Sequence, residues 1–288
     1  MTLSFVRLGV AGRERPFVVS GGVASSIETL TPDIDAAFLE RGGIDVVRAA
    51  LAAGDLPEAG PLESLGLRFG PPVARPGKVV CVGLNYRDHA EETGAAIPPE
   101  PVLFMKDSST VIGANDDVLI PRRSVKTDWE VELAVVIGTT ARYLDDERAA
   151  LGCIAGYTIS HDVSEREFQL ERGGQWDKGK SCETFNPLGP WLIPAAEVPD
   201  PQRLGLQLWV NGELRQNGST STMIFGVAEI VRYISQFMVL RPGDVINTGT
   251  PAGVALGKPE PKPYLRAGDV VELSIDGFGR QRQHLVQA

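Results

Sequence analysis

TDWEVELAVVIG, residues 127–138, reads as a β-strand with a contradiction inside it. From Trp129 the side chains alternate, and from Leu133 the run is apolar without interruption, the pattern of a strand covered on both faces. Glu130 and Glu132 nevertheless lie within it. A side-chain period of two puts both on one face, with Cα atoms about 6.5 to 7 Å apart at roughly 3.3 Å of rise per residue. An unpaired carboxylate in the interior costs several kcal/mol, and a second beside it adds repulsion. Three arrangements would compensate: a basic partner in an ion network, a proton shared between the two acids, or a divalent cation bridged by their oxygens.

The flanking sequence has the same short-strand texture. From residue 78 onward apolar runs dominate, among them KVVCVG, PVLFMK, DVLIP, CIAGYTISH, PWLIP, LGLQLWV, GDVINTG and DVVELSI. Turn signals separate them, including Asn211-Gly212 and Asp276-Gly277, which predict hairpins. Helical patterns are few, SEREFQLER and GVAEIVRYISQFM being the clearest. In the first, Ser164 and Glu167 fit a capping box, predicting a helix that begins directly after Asp162 and Val163. Strands that do not alternate with helices argue against a doubly wound parallel sheet. The expected fold is α+β and β-rich, a mixed β-roll or barrel.

Residues 1–72 read as a small N-terminal α+β domain. A strand pair, LSFVRLGV and RPFVVSGG, precedes two amphipathic segments around DIDAAFLERG and GIDVVRAALAAG, with Ile44, Val47, Ala50 and Leu51 on one helical face. The Pro/Gly-rich FGPPVARPGK at 69–78 reads as a linker, and residues 73–288 as the β-roll domain that carries the candidate chemistry.

At 288 residues the chain is long enough for a core without covalent staples. Its formal charge of −9 and pI near 5.0 argue against nucleic acid or an anionic membrane as a partner, since neither would be attracted to it. No apolar run reaches the length of a membrane span, and MTLSFVRLGVAGRERP lacks the order of a secretory signal, so a cytoplasmic protein is expected. Cys81, Cys153 and Cys182 have no paired spacing and read as reduced thiols, Cys81 packing inside a strand. Histidine-based acid–base chemistry must choose among His89, His161 and His284.

Several residues are candidates for chemistry. Asp162, at the end of CIAGYTISHD, could join Glu130 and Glu132 in an all-oxygen site suited to Mg2+ or Mn2+, with Ca2+ admitted and zinc disfavoured; the plain alternative is a helix cap. Arg166 and Gln169 are three apart and share a helix face. Lys178 and Lys180 stand in GGQWDKGKS, which reads as a glycine-rich loop positioned by tertiary contacts, and there they read either as solvated groups or as contacts to an anionic substrate. His89 precedes Glu92 by three, a spacing that lets the carboxylate orient the imidazole. GDVINTGTPAGVALG has neither phosphate-loop nor dinucleotide spacing; it reads as a strand ending in a turn that presents Thr248 or Thr250 and backbone N–H groups to a carboxylate.

The ordered set VGLNYRDHAEE, FMK, DWEVELAVVIG, HDVSEREFQ, GQWDKGKSCETFNPLGPWL, VNGELRQNGSTSTMIF, LRPGDVINTGTPAGV and GDVVELSIDG resembles the fumarylacetoacetate hydrolase superfamily from about residue 76 to 280. Within it the likeness is to 2,4-diketo-3-deoxy-L-fuconate and L-rhamnonate hydrolases, with acylpyruvases beside them. The resemblance implies a homodimer with Mg2+ or Mn2+ held by Glu130, Glu132 and Asp162. It makes Lys180 the stabiliser of a developing enolate, Arg166, Gln169 and Thr250 the contacts to substrate oxygens, and His89 with Glu92 a water-activating pair on a segment that orders as a lid over ligand. His161 replaces the Asn common before the metal aspartate, and strand alternation points it away from Asp162, toward a supporting role. Glu183 and Asn186 depart from the usual acidic and glycine arrangement.

The implied reaction is hydrolysis of the C–C bond of a 2,4-diketo acid, giving pyruvate and a short acid. Oxaloacetate decarboxylation and ureidoglycolate cleavage are the neighbouring chemistries. A noncatalytic metal-binding protein is the alternative from another class, disfavoured because every expected catalytic position is filled.

Overall fold

Val131–Ile137 runs through the middle of an eight-stranded sheet. The computed structural model describes residues 3–288. The strand pairs antiparallel with Ile154–His161 on one side and with Val245–Asn247 on the other, in a register that sets Glu132 against Ser160 and Ala134 between Thr158 and Asn247. Beyond Val245–Asn247 lie Val79–Gly83 and Val102–Lys106; beyond Ile154–His161 lie Asn186–Leu188 and Val111–Gly113, with Ile193–Pro194 also paired to it.

All seven residues of the central strand are buried, and its two faces enter different cores. Val131, Leu133, Val135 and Ile137 pack with Leu206, Leu208, Leu273, Ile275 and Leu285 of a second, five-stranded sheet. Ala134 and Val136 pack instead with Phe5, Val18, Phe38 and Val47 of the N-terminal region and with Cys81 and Phe104. A strand covered this way has no solvent face, which explains its lack of polar alternation beyond Glu132. The face that carries the glutamates is therefore the one that the N-terminal elements cover farther along.

Those elements are a four-stranded sheet, Ser4–Leu8, Arg15–Ser20, Val23–Ser26 and Glu58–Pro61, with helices Ala36–Glu40 and Gly43–Ala53. Asp35 caps the first helix through Phe38 N–H, and Gly54, left-handed at φ 73°, ends the second. The stretch 69–78, expected to be a linker, is packed down. Val73 and Ala74 are buried, Ala74 N–H donates to Ile34 O at 2.7 Å, and Leu8 bridges to Phe69.

Asn211-Gly212 forms the expected two-residue turn between Gly205–Val210 and Glu213–Ser219, both residues left-handed at φ 51° and 78°. Asp276-Gly277 begins a longer turn before Arg280–Gln287, and Asp276 accepts Gly205 N–H at 2.9 Å. Three local expectations need correction. The capping box does not form: Ser164 and Glu165 pair as a short strand with Thr127–Asp128, the helix is Arg166–Leu170, and Glu165 caps it through Glu167 N–H. Ser164 Oγ donates to Asp162 O instead. The first strand is also interrupted, Thr127–Asp128 and Val131–Ile137 being separate segments on either side of Trp129 and Glu130. Lys178 and Lys180 belong to a short helix, Asp177–Lys180, and not to an irregular loop. Among the described residues no helix is long and apolar enough to cross a membrane.

Gly156, in the strand beside the central one, shows how closely these layers meet: a Cβ there would lie 2.2 Å from Ile193 O. Gly156→Ala must displace the Ile193–Pro194 segment. Denaturant unfolding should show a loss of roughly 1–3 kcal/mol, the usual cost of overpacking; an unchanged midpoint would mean that the segment moves freely.

Candidate active site

Glu130, Glu132 and Asp162 come together at the end of the central strand pair. Asp162 N–H donates to Glu130 O at 3.0 Å, extending the ladder beyond its last formal pair, Val131 with His161. All three carboxylates are buried, and each offers one oxygen within 4.8 Å of the others. The period-two spacing of the glutamates and the position of Asp162 at a strand end thus converge on one point, as the sequence suggested.

Three cations answer them. Lys180 Nζ bridges Glu130 Oε2 at 2.6 Å and Asp162 Oδ2 at 3.0 Å. Arg166 forks between Asp128 Oδ2 at 2.8 Å and Glu130 Oε1 at 2.6 Å, and donates to Gln169 Oε1 at 3.0 Å. Lys106 Nζ, also buried, meets Asp162 Oδ1 at 2.6 Å and Val163 O at 3.0 Å. Glu132 is left over. Among the described residues its side chain accepts a hydrogen bond only from Gly249 N–H, at 2.7 Å, and forms no ion pair.

The titration behaviour follows from this inventory. Burial pushes the Glu130 carboxyl up, but the charges of Lys180 and Arg166 outweigh it and hold it at about 2. Glu132 moves the other way: burial raises it, and repulsion from Asp162 and Glu130 adds to the effect. Burial would lower Lys180, yet Asp162 and Glu130 raise it, so its amine stays an ammonium. An anionic oxygen in a buried, all-oxygen cluster with one carboxylate beyond its cations is suited to a hard divalent ion. Glu130, Glu132 and Asp162 would hold that ion.

His89 and Glu92 form a second group. Both are on the helix Arg87–Thr93, closed by left-handed Gly94. His89 Nδ1 is 3.1 Å from Glu92 Oε1, and Glu92 also accepts Gly253 N–H at 2.9 and 3.0 Å. Burial raises the Glu92 carboxyl, but the hydrogen bonds from His89 and Gly253 prevail and keep it low. A carboxylate can only accept, so in the neutral ring the proton is on Nδ1 and Nε2 keeps its lone pair. The helix is held from beneath by Asn85, which donates to Phe225 O and Thr248 O and accepts Phe225 N–H.

His89, Glu130, Glu132, Arg166, Gln169, Lys180 and Thr250 all line one cavity of about 160 Å3. Thr250 reaches it with its hydroxyl already committed, donating to Val131 O at 2.9 Å and accepting from Gln216 Nε2 at 2.8 Å. Thr248 Oγ1 donates to Leu133 O, tying its strand to the central one. Lys178 lies outside, its ammonium on Arg172 O. His161 points to the other side, with Nδ1 3.2 Å from Gln283 Oε1, and burial lowers it to about 3. Asn186 bonds Ser160 and Asn247, and Cys81 is buried in its strand with its thiol pushed up by desolvation.

Sequence reasoning missed Lys106 and Asp128. Asp128 is buried and accepts Ala255 N–H at 2.7 Å and Leu256 N–H at 3.0 Å besides Arg166, which fastens the loop after Thr250 to the site. A lysine ending an apolar strand and an aspartate beginning one look like ordinary boundary residues; a charge inside the quoted FMK and DWEVE blocks was the available signal.

Glu130 and Glu132 give opposite pH responses. Glu130 titrates below its usual 4.5 in the fold, so the stability it contributes is present above that value and is lost as pH falls from about 4.5 toward 2. Glu132 titrates above the usual range, so its contribution is present at low pH and lost as pH rises through its folded value. In the metal-free protein at pH 8, Glu132→Gln should therefore leave the melting temperature equal or higher. Added Mg2+ should raise it in wild type by mass action and not in the variant. Scanning calorimetry of both proteins with and without Mg2+ checks this, an equal rise in both excluding Glu132 as a ligand.

The model for the fumarylacetoacetate (FAA) hydrolase C-terminal family matches residues 78–286. A Burkholderia ambifaria protein described as "Putative hydrolase" is 50% identical over 283 residues, 98% of each chain. Among solved structures, fumarylacetoacetate hydrolase from Exiguobacterium antarcticum is 34% identical over 100% of both chains, with a TM-score of 0.84. A 2-hydroxyhepta-2,4-diene-1,7-dioate isomerase from Mycobacterium marinum is 31% identical over 99% of both chains, at 0.77. Maleylpyruvate hydrolase from Sphingobium sp. SYK-6 is 28% identical over 99% of this chain and 100% of its own, at 0.79.

Proposed function

The chain belongs to the fumarylacetoacetate hydrolase family, and from that premise we propose that it is a metal-dependent hydrolase cleaving the C–C bond of a 2,4-diketo acid to pyruvate and a short acid. The observation that carries this reading is the convergence, on one cavity, of a carboxylate-oriented histidine, a buried ammonium and the carboxylates of Glu130 and Glu132, with Asp162 clustered beside them. An isomerase needs no attacking water, whereas the His89–Glu92 pair has the form of a water-activating base.

Glu130, Glu132 and Asp162 would hold Mg2+ or Mn2+, with Ca2+ as a weaker candidate, and the bound ion would supply a Lewis acid for the 2-oxo acid oxygens. The chain's own groups do the rest. Arg166 and Gln169, locked to one another, and the backbone around Thr250 orient the substrate oxygens. Nε2 of His89 takes a proton from water, which attacks the distal carbonyl; Glu92 stabilises the imidazolium that results. As the C–C bond breaks, its electron pair passes to the pyruvate fragment as an enolate. Lys180, held cationic by Asp162 and Glu130, stabilises that charge in a site with little water. Protonation of the enolate gives pyruvate. In this reading the setting is cytoplasmic and the working form a homodimer.

Pyruvate release from a panel of 2,4-diketo acids, with and without EDTA, tests the reading; no release from any member in excess Mg2+ or Mn2+ would refute it. Lys180→Ala should lower kcat by about 10² or more, with Mg2+ affinity by calorimetry nearly intact; a change confined to KM would make Lys180 a binding residue. His89→Ala should cost roughly 10² to 10⁴ in kcat, whereas His161→Asn should retain most activity. Oxaloacetate decarboxylation needs no activated water and should survive His89→Ala better than diketone hydrolysis. Equal losses in the two reactions would assign His89 another role.

A further inference from the structure

Backbone pairing stops short of the three carboxylates. Val245–Asn247 is laddered to Ala134, Val135 and Val136, and Thr248 still reaches Leu133 O through its N–H at 3.2 Å and its Oγ1 at 2.8 Å. Past that point side chains take over. Val131 lies between the two glutamates; its N–H donates to Gln216 Oε1 at 2.9 Å, and its carbonyl accepts Thr250 Oγ1 at 2.9 Å. Gln216 Nε2 closes the ring, donating to Thr250 Oγ1 at 2.8 Å and to Pro251 O at 2.8 Å. Val131, Gln216 and Thr250 are all buried, so water does not compete for these bonds.

Gln216 belongs to neither of the segments it joins. It sits opposite Leu208 in Glu213–Ser219, a strand of the five-stranded sheet. That strand is also the bed on which segment 249–253 lies. A Cβ on Gly253 would come within 2.0 Å of Arg215 O, and one on Gly218 within 2.4 Å of Pro251 Cβ. The two glycines let the backbones meet, and Gln216 is the side chain that bonds across the contact. Immediately before Thr250, Gly249 N–H supplies the hydrogen bond to Glu132 Oε2. Gln216 therefore acts on the glutamates twice. Through Val131 it fixes where Glu130 and Glu132 leave the backbone; through Thr250 and Pro251 it fixes the segment whose N–H aims the Glu132 carboxylate. Only an amide can accept from one N–H and donate to two oxygens at once, and an apolar replacement would strand Val131 N–H and Pro251 O in the interior.

Resting on the cation site of the hydrolase reading above, we infer that Gln216 is a positioning residue, holding the glutamate-bearing strand and segment 249–251 in the register that binds a divalent cation. Mn2+ binding to the full chain, followed by titration calorimetry and by the spin-resonance signal of free Mn2+, tests this without turnover. Gln216→Met should weaken Mn2+ binding by about tenfold or more, the range for partners that orient metal ligands. Thr250→Val opens the same ring at another member and should weaken binding comparably; the double variant should lose little more than either, because both break one unit. Val210→Ala, a cavity in the neighbouring strand of the same sheet, should lower the melting temperature yet leave Mn2+ affinity within about twofold of wild type.

Mn2+ affinity within about twofold of wild type in Gln216→Met, losses that add in the double variant, or an equal loss in Val210→Ala overturns the inference and leaves Gln216 a packing residue. Should Gln216→Met fail to fold, Thr250→Val beside Val210→Ala decides by the same margins. Weakened Mn2+ binding in the ring variants, with no pyruvate released by wild type from any diketo acid, supports the positioning role and refutes the hydrolase. Unweakened binding with pyruvate released overturns the positioning role alone. A wild type that binds no Mn2+ overturns the inference together with the cation site it rests on.

Discussion

An excess of buried negative charge at the end of one apolar strand governs this structure. Asp128, Glu130, Glu132 and Asp162 are enclosed with Lys106, Arg166 and Lys180, four acids against three bases. Each ion pair makes its partners tolerable in a medium where either alone would be prohibitively costly. The unmatched acid makes the cluster receptive to a cation. Of the alternatives posed by the sequence, the ion network is present and answers most of the acids, and Glu132, the acid it leaves over, is where a cation would fit.

The surrounding architecture serves to bring those groups together without water. The central strand is closed on one face by the five-stranded sheet and on the other by the N-terminal elements, leaving the glutamate end to meet the cavity. Lys106 arrives from the far edge of the sheet, Arg166 from the helix after Asp162, and Lys180 from the turn beneath Trp176. Because these contacts span different elements, the site is a consequence of packing throughout the chain. The His89–Glu92 helix is different in kind, docked through Glu92 on Gly253 N–H and through Asn85, with polar contacts carrying much of its attachment.

Much of this was legible in sequence because two patterns are local. Period-two spacing put Glu130 and Glu132 on one face, and three-residue spacing put His89 by Glu92 and Arg166 by Gln169; each pair meets as expected. The errors also have local causes. Ser164 and Glu167 satisfy the formal capping pattern, but pairing with Thr127–Asp128 offers the Ser164–Glu165 backbone a better ladder, and Glu165 takes over the cap. Trp129 continues the apolar alternation, yet the chain breaks the strand there, its indole N–H reaching Gly253 O at 3.2 Å.

The sequence by itself determined the groups available: three carboxylates spaced to meet, a histidine three residues from a glutamate, a β-rich frame and a formal charge of −9. Those properties follow from residue type and short-range periodicity, which the chain carries wherever it folds. Only the tertiary structure decided which charges cancel. Lys106 and Asp162 are 56 residues apart, Asp128 and Arg166 38, and Glu132 and Gly249 117. The same holds for the apolar side of the cavity, since Gly83, Phe104 and Trp176 come into contact only when sheet pairing and the short helix turn place them side by side. Electrostatic balance and cavity shape depend on distance in space, which spacing along the chain does not encode.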